Sequence, residues 1–118
     1  MNSLKNKVQL IGYLGNNPEI TTFESGKKVA KFSLATNESY KNTLGQKVKD
    51  TQWHNIVVWN KTASFAEQFL QKGVELMVEG RLTYRSFEDK KGQKRYITEI
   101  ICHELFMLRN KNQVQEVL

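Results

Sequence analysis

Tyr40, Trp53, Trp59 and Phe87 bring four flat π surfaces into a chain whose cations outnumber its acids. Strand alternation turns Trp53, Trp59 and Phe87 away from the core, and Tyr40 falls in a polar segment. Leaving a large ring in water forgoes roughly 1.5–3 kcal/mol of burial, so each needs a reason. One ligand class fits rings beside lysine and arginine well. Unpaired nucleic acid stacks a base on the ring and offers a phosphate to the cation, at ~1–3 kcal/mol per stacked base. Trp53 and Trp59 share one face of one strand, ~20 Å apart at about 3.3 Å per residue, far enough to serve separate bases. The candidate phosphate contacts are Lys61, Lys72, Arg81 and Arg85, each neutralised phosphate steepening the salt dependence by about −0.7 for single strands.

From Arg81 to Arg95, Arg81, Arg85, Lys90, Lys91, Lys94 and Arg95 face only Glu88 and Asp89. Each feature also has a plainer reading. The charge run could be a solvated hairpin, Tyr40 a loop anchor, and the tryptophans could be covered by protein in a larger assembly. Catalysis has no residue to name. His54 lies among apolar neighbours on the inward side of its strand and reads as a core or interface histidine. His103 follows Cys102 without a second metal-ligand pair. The chain carries neither a phosphate-cradling glycine loop nor a catalytic serine motif. The expectation is a non-enzyme without cofactor or metal.

The elements that must hold these groups are mostly strands. Val8, Leu10, Gly12 and Leu14 alternate with polar and larger residues, and Gly12 predicts a bend. Gly15-Asn16-Asn17-Pro18-Glu19 is a turn signal. A second strand runs over about 28–36, with Lys31 and Ser33 outward, and 38–50 reads as a polar loop. A third covers about 52–59, with His54, Ile56 and Val58 on one face and Trp53, Asn55, Val57 and Trp59 on the other. A helix spans about 62–72, capped at Thr62 or by the Ser64/Glu67 box and stopped by Gly73. The fourth strand, 74–87, puts Val74, Leu76, Val78, Leu82 and Tyr84 inward. Asp89–Gly92 is a hairpin tip, a return strand covers 95–102, and a short terminal strand covers 105–108. The pattern is all-β with one helix: a five-stranded Greek-key OB-fold barrel with the helix between strands 3 and 4.

The chain has 118 residues, 18 Lys+Arg and 12 Asp+Glu, for a formal charge of +6. That length supports one domain, expected at 1–108, with a short disordered tail at 109–118. The charge favours polyanions without proving one. One cysteine, Cys102, allows no disulfide within a chain. No window approaches the roughly 20 apolar residues of a membrane span, and residues 1–10 lead into no sustained apolar run. A soluble, cytoplasmic and nucleoid-associated protein is expected.

Several segments then carry a family resemblance: 6–19 (NKVQLIGYLGNNPE), 34–40 (LATNESY), 51–57 (TQWHNIV), 69–73 (FLQKG), 78–82 (VEGRL) and 95–100 (RYITEI). Together, across about residues 5–108, they resemble the bacterial single-stranded DNA-binding proteins (SSB). The resemblance implies an OB fold, sequence-independent binding and protection of single-stranded DNA in replication, recombination or repair, and a homotetramer. An RNA-binding or RNA-chaperone OB protein is the alternative. The resemblance also implies stacking by Tyr40, Trp53, Trp59 and Phe87, the first and last standing where tryptophan is common. It implies phosphate contacts by Lys61, Lys72 and Arg85. Asn55 stands where a basic residue is common. The tail, 109–118, has one acid and two bases and lacks the family's acidic tip, so recruitment of replication proteins through such a tip is not expected.

Overall fold

The computed structural model describes residues 3–109. A 3-10 turn at Ser3–Lys5 precedes β1 (Val8–Leu14), β2 (Glu19–Thr22), β3 (Lys28–Lys41), β4 (Lys47–Trp59), α1 (Asn60–Phe69), β5 (Glu75–Glu88) and β6 (Lys94–Arg109). The sheet order is β1-β5-β6-β4-β3-β2, and an extra β1–β3 pairing through Tyr13 and Leu14 curls it shut. Five strands make the barrel; β2 adds an edge against β3. The β4–β6 seam is parallel and short, pairing Ile56 with Ile100 and Val57 with Ile101.

Period-two alternation makes the core. Leu34, Ile56, Val58, Leu76 and Val78 point inward from alternate strand positions and are fully buried, with Val74 just before β5. Ala63, Ala66 and Leu70 cap one end of this cluster from α1 and its exit. Two glycines permit the closest strand approaches: a methyl at Gly12 would run into the Ala35 carbonyl, and one at Gly80 into that of Ile101. Any side chain at either position would push strands apart.

Five expectations need correction. The segment 38–50 is no loop: β3 and β4 pair continuously from Val29↔Trp59 to Lys41↔Lys47, leaving a tight turn at Asn42–Gln46. The return and terminal strands are one strand, β6, with a bulge where Glu79 faces Glu104 and Gly80 faces Cys102, leaving His103 without a partner across the ladder. A bulge adds one residue and reverses the in/out phase, which is why the alternation restarts at Leu105. β2 falls at the expected Pro18 turn and was not anticipated. The helix begins at Asn60 and ends at Phe69; Trp59 occupies its N-cap with no side-chain bond, so neither Thr62 nor the Ser64/Glu67 box caps it. Tyr84 follows the inward phase of Leu82 but is 73% exposed, because β5 has by then passed the end of the barrel. Residues 110–118, most of the expected tail, lie outside the described residues; Arg109 closes β6 and pairs with Glu75 at 3.5 Å.

Candidate nucleic-acid interface

Cross-strand register assembles one outward face. Ala35, Ser33, Lys31 and Val29 of β3 stand opposite Trp53, Asn55, Val57 and Trp59 of β4. β2 extends the rows with Glu19 beside Lys31 and Thr21 beside Val29. On the other side, Ile101 lies beside Val57 and Arg81 beside Ile101. The β5–β6 hairpin turns Arg85, Ile97 and Glu99 toward the same face. Between them lies an open groove of about 460 Å³, floored by Lys31, Ser33, Asn55 and Val57 and walled by Asn16, Arg85 and Glu99. In register, Trp53 and Trp59 lie beyond opposite ends of this floor, 62% and 40% exposed.

Local chemistry fixes each part. The Asn16 Oδ1 accepts from the Ser33 N–H at 2.9 Å and from its hydroxyl at 2.8 Å, locking the Gly15–Pro18 turn onto β3. Trp53 leans over that turn: a methyl at Gly15 would collide with the ring at Cζ3 and Cη2. The bare glycine backbone thus seats the indole while its remaining surface meets water. Asn55 donates to the Thr98 carbonyl at 3.3 Å, tying β4 to the β5–β6 hairpin. Phe23, at the β2–β3 turn, lies nearly parallel to Trp59, with ring centroids 6.1 Å apart and planes 19° apart.

The groove is not simply cationic. Arg85 Nε donates to Glu99 Oε1 at 2.8 Å and Nη2 to Oε2 at 3.2 Å, and Glu99 is buried. This hydrogen bond raises the Arg85 pKa further above its ordinary value, against a smaller opposing effect of burial. Lys31 faces Glu19 across the strand pair, with no ion pair within 4 Å for Lys31 or Arg81 among the described residues. Seven further cations sit on the two projecting hairpins: Lys41, Lys47 and Lys49 on one, Lys90, Lys91, Lys94 and Arg95 on the other. Arg95 is held by Asp89 at 2.9 Å, and that contact is the largest cause lowering the Asp89 pKa.

The anticipated residues divide. Trp53, Trp59, Arg81 and Arg85 belong to the groove face, and Phe87 continues it along β5, with the Arg85 guanidinium 5.8 Å from its ring centre. Lys72 stands beside the groove rim, its N–H bonded to Asn17 Oδ1 at 2.8 Å. Lys61 is elsewhere, lining a depression with Phe65, His103 and Leu105. Tyr40 is 55% exposed, yet its strand phase matches Leu34 and Glu38, on the opposite side of the β3–β4 ribbon from Trp53. Sequence reasoning missed Phe23, Asn16, Glu99 and the position of Lys31 on the floor. Only Lys31 had a signal, its outward phase in β3.

His54 faces inward, as expected. Its Nε2 lies 2.9 Å from Thr36 Oγ1, and burial pulls its pKa down. Burial likewise pushes the Cys102 thiol up. His103 does acquire acidic company through the bulge: ligand atoms of Glu79, His103 and Glu104 lie within 4.8 Å of one another, with Lys7 also on Glu79 at 3.5 Å. No helix among the described residues is long and apolar enough to cross a membrane.

A five-stranded barrel of this order, with one helix after β4, is an OB fold, and its exposed rings and groove lie where such folds take extended ligands. The model of the "Single-strand binding protein family" matches residues 5–108, and the chain belongs to that family, one of binding proteins rather than enzymes. It is 47% identical over 108 residues to "Single-stranded DNA-binding protein 1" of Chlorobaculum tepidum, covering 91% of this chain and 67% of that protein. It is 41% identical to the "Single-stranded DNA-binding protein" of Neisseria meningitidis, covering 92% of this chain and 62% of the relative. The chain thus spans about two thirds of those relatives' length or slightly less. Among solved structures, "Plasmodium falciparum SSB complex with ssDNA" superposes with a TM-score of 0.79 at 37% identity, over 87% of this chain and 94% of the other.

Proposed function

We propose that this protein binds unpaired DNA without reading its sequence and shields it during replication, recombination or repair. The observation that carries this is the pair of exposed tryptophans beyond the two ends of one groove floor. Bases stack on Trp53, Trp59 and Phe87, while Lys31, Arg81 and the free nitrogen of Arg85 meet phosphates, with Lys72 at the rim. Duplex bases are already stacked on one another and cannot use these rings, so unpaired strands are preferred. Tyr40 and Lys61 are reached only by a strand that wraps past the groove. Lys31 lies diagonally next to Asn55, and supplies the positive charge that Asn55 lacks.

Self-association is part of the same proposal. Ile11, Met77 and Phe106 are register neighbours across β1, β5 and β6 and do not line the groove, with Ile11 50% and Phe106 62% exposed. Such a row is costly in water and suits burial against a second copy, as in a homotetramer. A bacterial cytoplasm with its nucleoid is the matching location.

The test is tryptophan fluorescence titrated with poly-dT at low salt. Quenching is expected, and its absence would overturn the reading. Trp53→Ala should weaken binding more than Lys91→Ala. Competition by matched RNA and DNA oligomers decides the polymer, and mass in solution decides the assembly.

A further inference from the structure

Phe23 has no place in the hydrophobic core: it is 45% exposed and absent from the buried cluster. Its backbone closes the β2–β3 turn, its N–H donating to the Lys27 carbonyl at 2.8 Å and its carbonyl accepting from Gly26 at 2.9 Å. That turn delivers the ring to Trp59, which reaches the same spot from β4 through the Thr21–Val29–Trp59 row. The two rings are near parallel with 6.1 Å between centroids. Centroids about 4.5–7 Å apart are usual for offset-stacked rings, so the two rings already touch, and both keep part of their surface in water. Lys27 sits on the same turn, exposed and without an acidic partner within 4 Å among the described residues; Glu24 is the one acid beside it.

We propose that Phe23 and Trp59 form one two-ring subsite that holds a single unpaired base at the β2 end of the groove, with Lys27 at the phosphate. The proposal rests on the single-strand-binding reading above and deepens it: Phe23 contacts the ligand directly and does not merely cover Val29, which is only 4% exposed between the two strands. The edge strand β2 then has a purpose, since it exists to carry this turn over the groove end.

The experiment is anisotropy of a labelled short oligo-dT with the intact protein, its Phe23→Leu and Phe23→Tyr forms, Trp59→Leu, and the Phe23→Leu/Trp59→Leu double form. Thermal unfolding of each form checks the fold. Leucine keeps an apolar cover for Val29 but removes the π face; tyrosine keeps the face. Phe23→Leu should weaken binding about fivefold or more, the low end of one base-on-ring contact. Phe23→Tyr should bind like the parent. The double form should lose less than the product of the two single losses, because both rings serve one base. Parent-like binding by Phe23→Leu, or single losses that simply multiply, would overturn the shared subsite and leave the general function intact. A parent protein that does not bind at all would overturn the functional reading and this inference together.

Discussion

Arg85 holds Glu99 through two nitrogens, Nε to Oε1 at 2.8 Å and Nη2 to Oε2 at 3.2 Å, across the β5–β6 hairpin. The carboxylate is buried and the guanidinium is half exposed. The pair locks the hairpin that carries Phe87, and it leaves part of the guanidinium facing the groove. One residue therefore has a structural partner on one side and room for a ligand on the other.

Removing Arg85 strands a buried carboxylate. Arg85→Ala should destabilise the fold by about 1–3 kcal/mol, discounted from the cost of a fully buried broken pair because the arginine side is wet. Adding Glu99→Gln should recover part of the loss, since an amide is less costly to bury unpaired than a charge. Urea unfolding of both forms measures this.

Gly15→Ala should act on Trp53 rather than on the barrel. The added methyl occupies the space of the indole Cζ3, so the ring must leave its seat. Binding of oligo-dT should fall by about 1 kcal/mol or more, a stacked base's worth. The emission maximum of the free protein should move, while the secondary-structure signal in circular dichroism stays.

Lys31→Ala and Arg81→Ala should each flatten the salt dependence of binding, by about 0.7 in the slope of log K against log salt. Lys91→Ala, at the hairpin tip, should change it less. Titrations at several salt concentrations give the slopes directly, and equal slopes for all three variants would remove Lys31 and Arg81 from the interface.

Burial holds the His54 imidazole below its ordinary value of 6.5. On acidification the unfolded chain then takes up the proton first. The stability linked to His54 is thus complete above about pH 6.5 and declines as pH falls toward the depressed folded value. His54→Gln should remove that part of the decline. Thermal midpoints of the two proteins across this range isolate it.

Alternation placed Trp53, Trp59, Phe87 and the core because those strands have one wet and one dry face. It failed where that contrast is missing. Residues 38–50 are polar on both sides since the β3–β4 ribbon extends past the barrel, so a strand looked like a loop. Tyr84 kept the right phase but had nothing to cover it. The bulge at His103 reversed the phase and split one strand into two. Phe23 meets Trp59 only because β3 lies between their strands, a contact 36 positions apart in the chain that no local pattern encodes. The Arg85–Glu99 pair was hidden for the same reason, while Arg85 itself was visible in the charge run.

Gly12 and Gly80 have a practical consequence for genetics. At each, a single methyl meets a main-chain carbonyl of the adjoining strand, with that carbonyl's carbon at 2.9 Å and 2.8 Å. Neither site lines the groove, yet nearly every substitution there should abolish the protein. A screen for variants defective in binding single-stranded DNA would recover both positions alongside true contact residues, and only a parallel assay of solubility would sort scaffold failures from lost recognition.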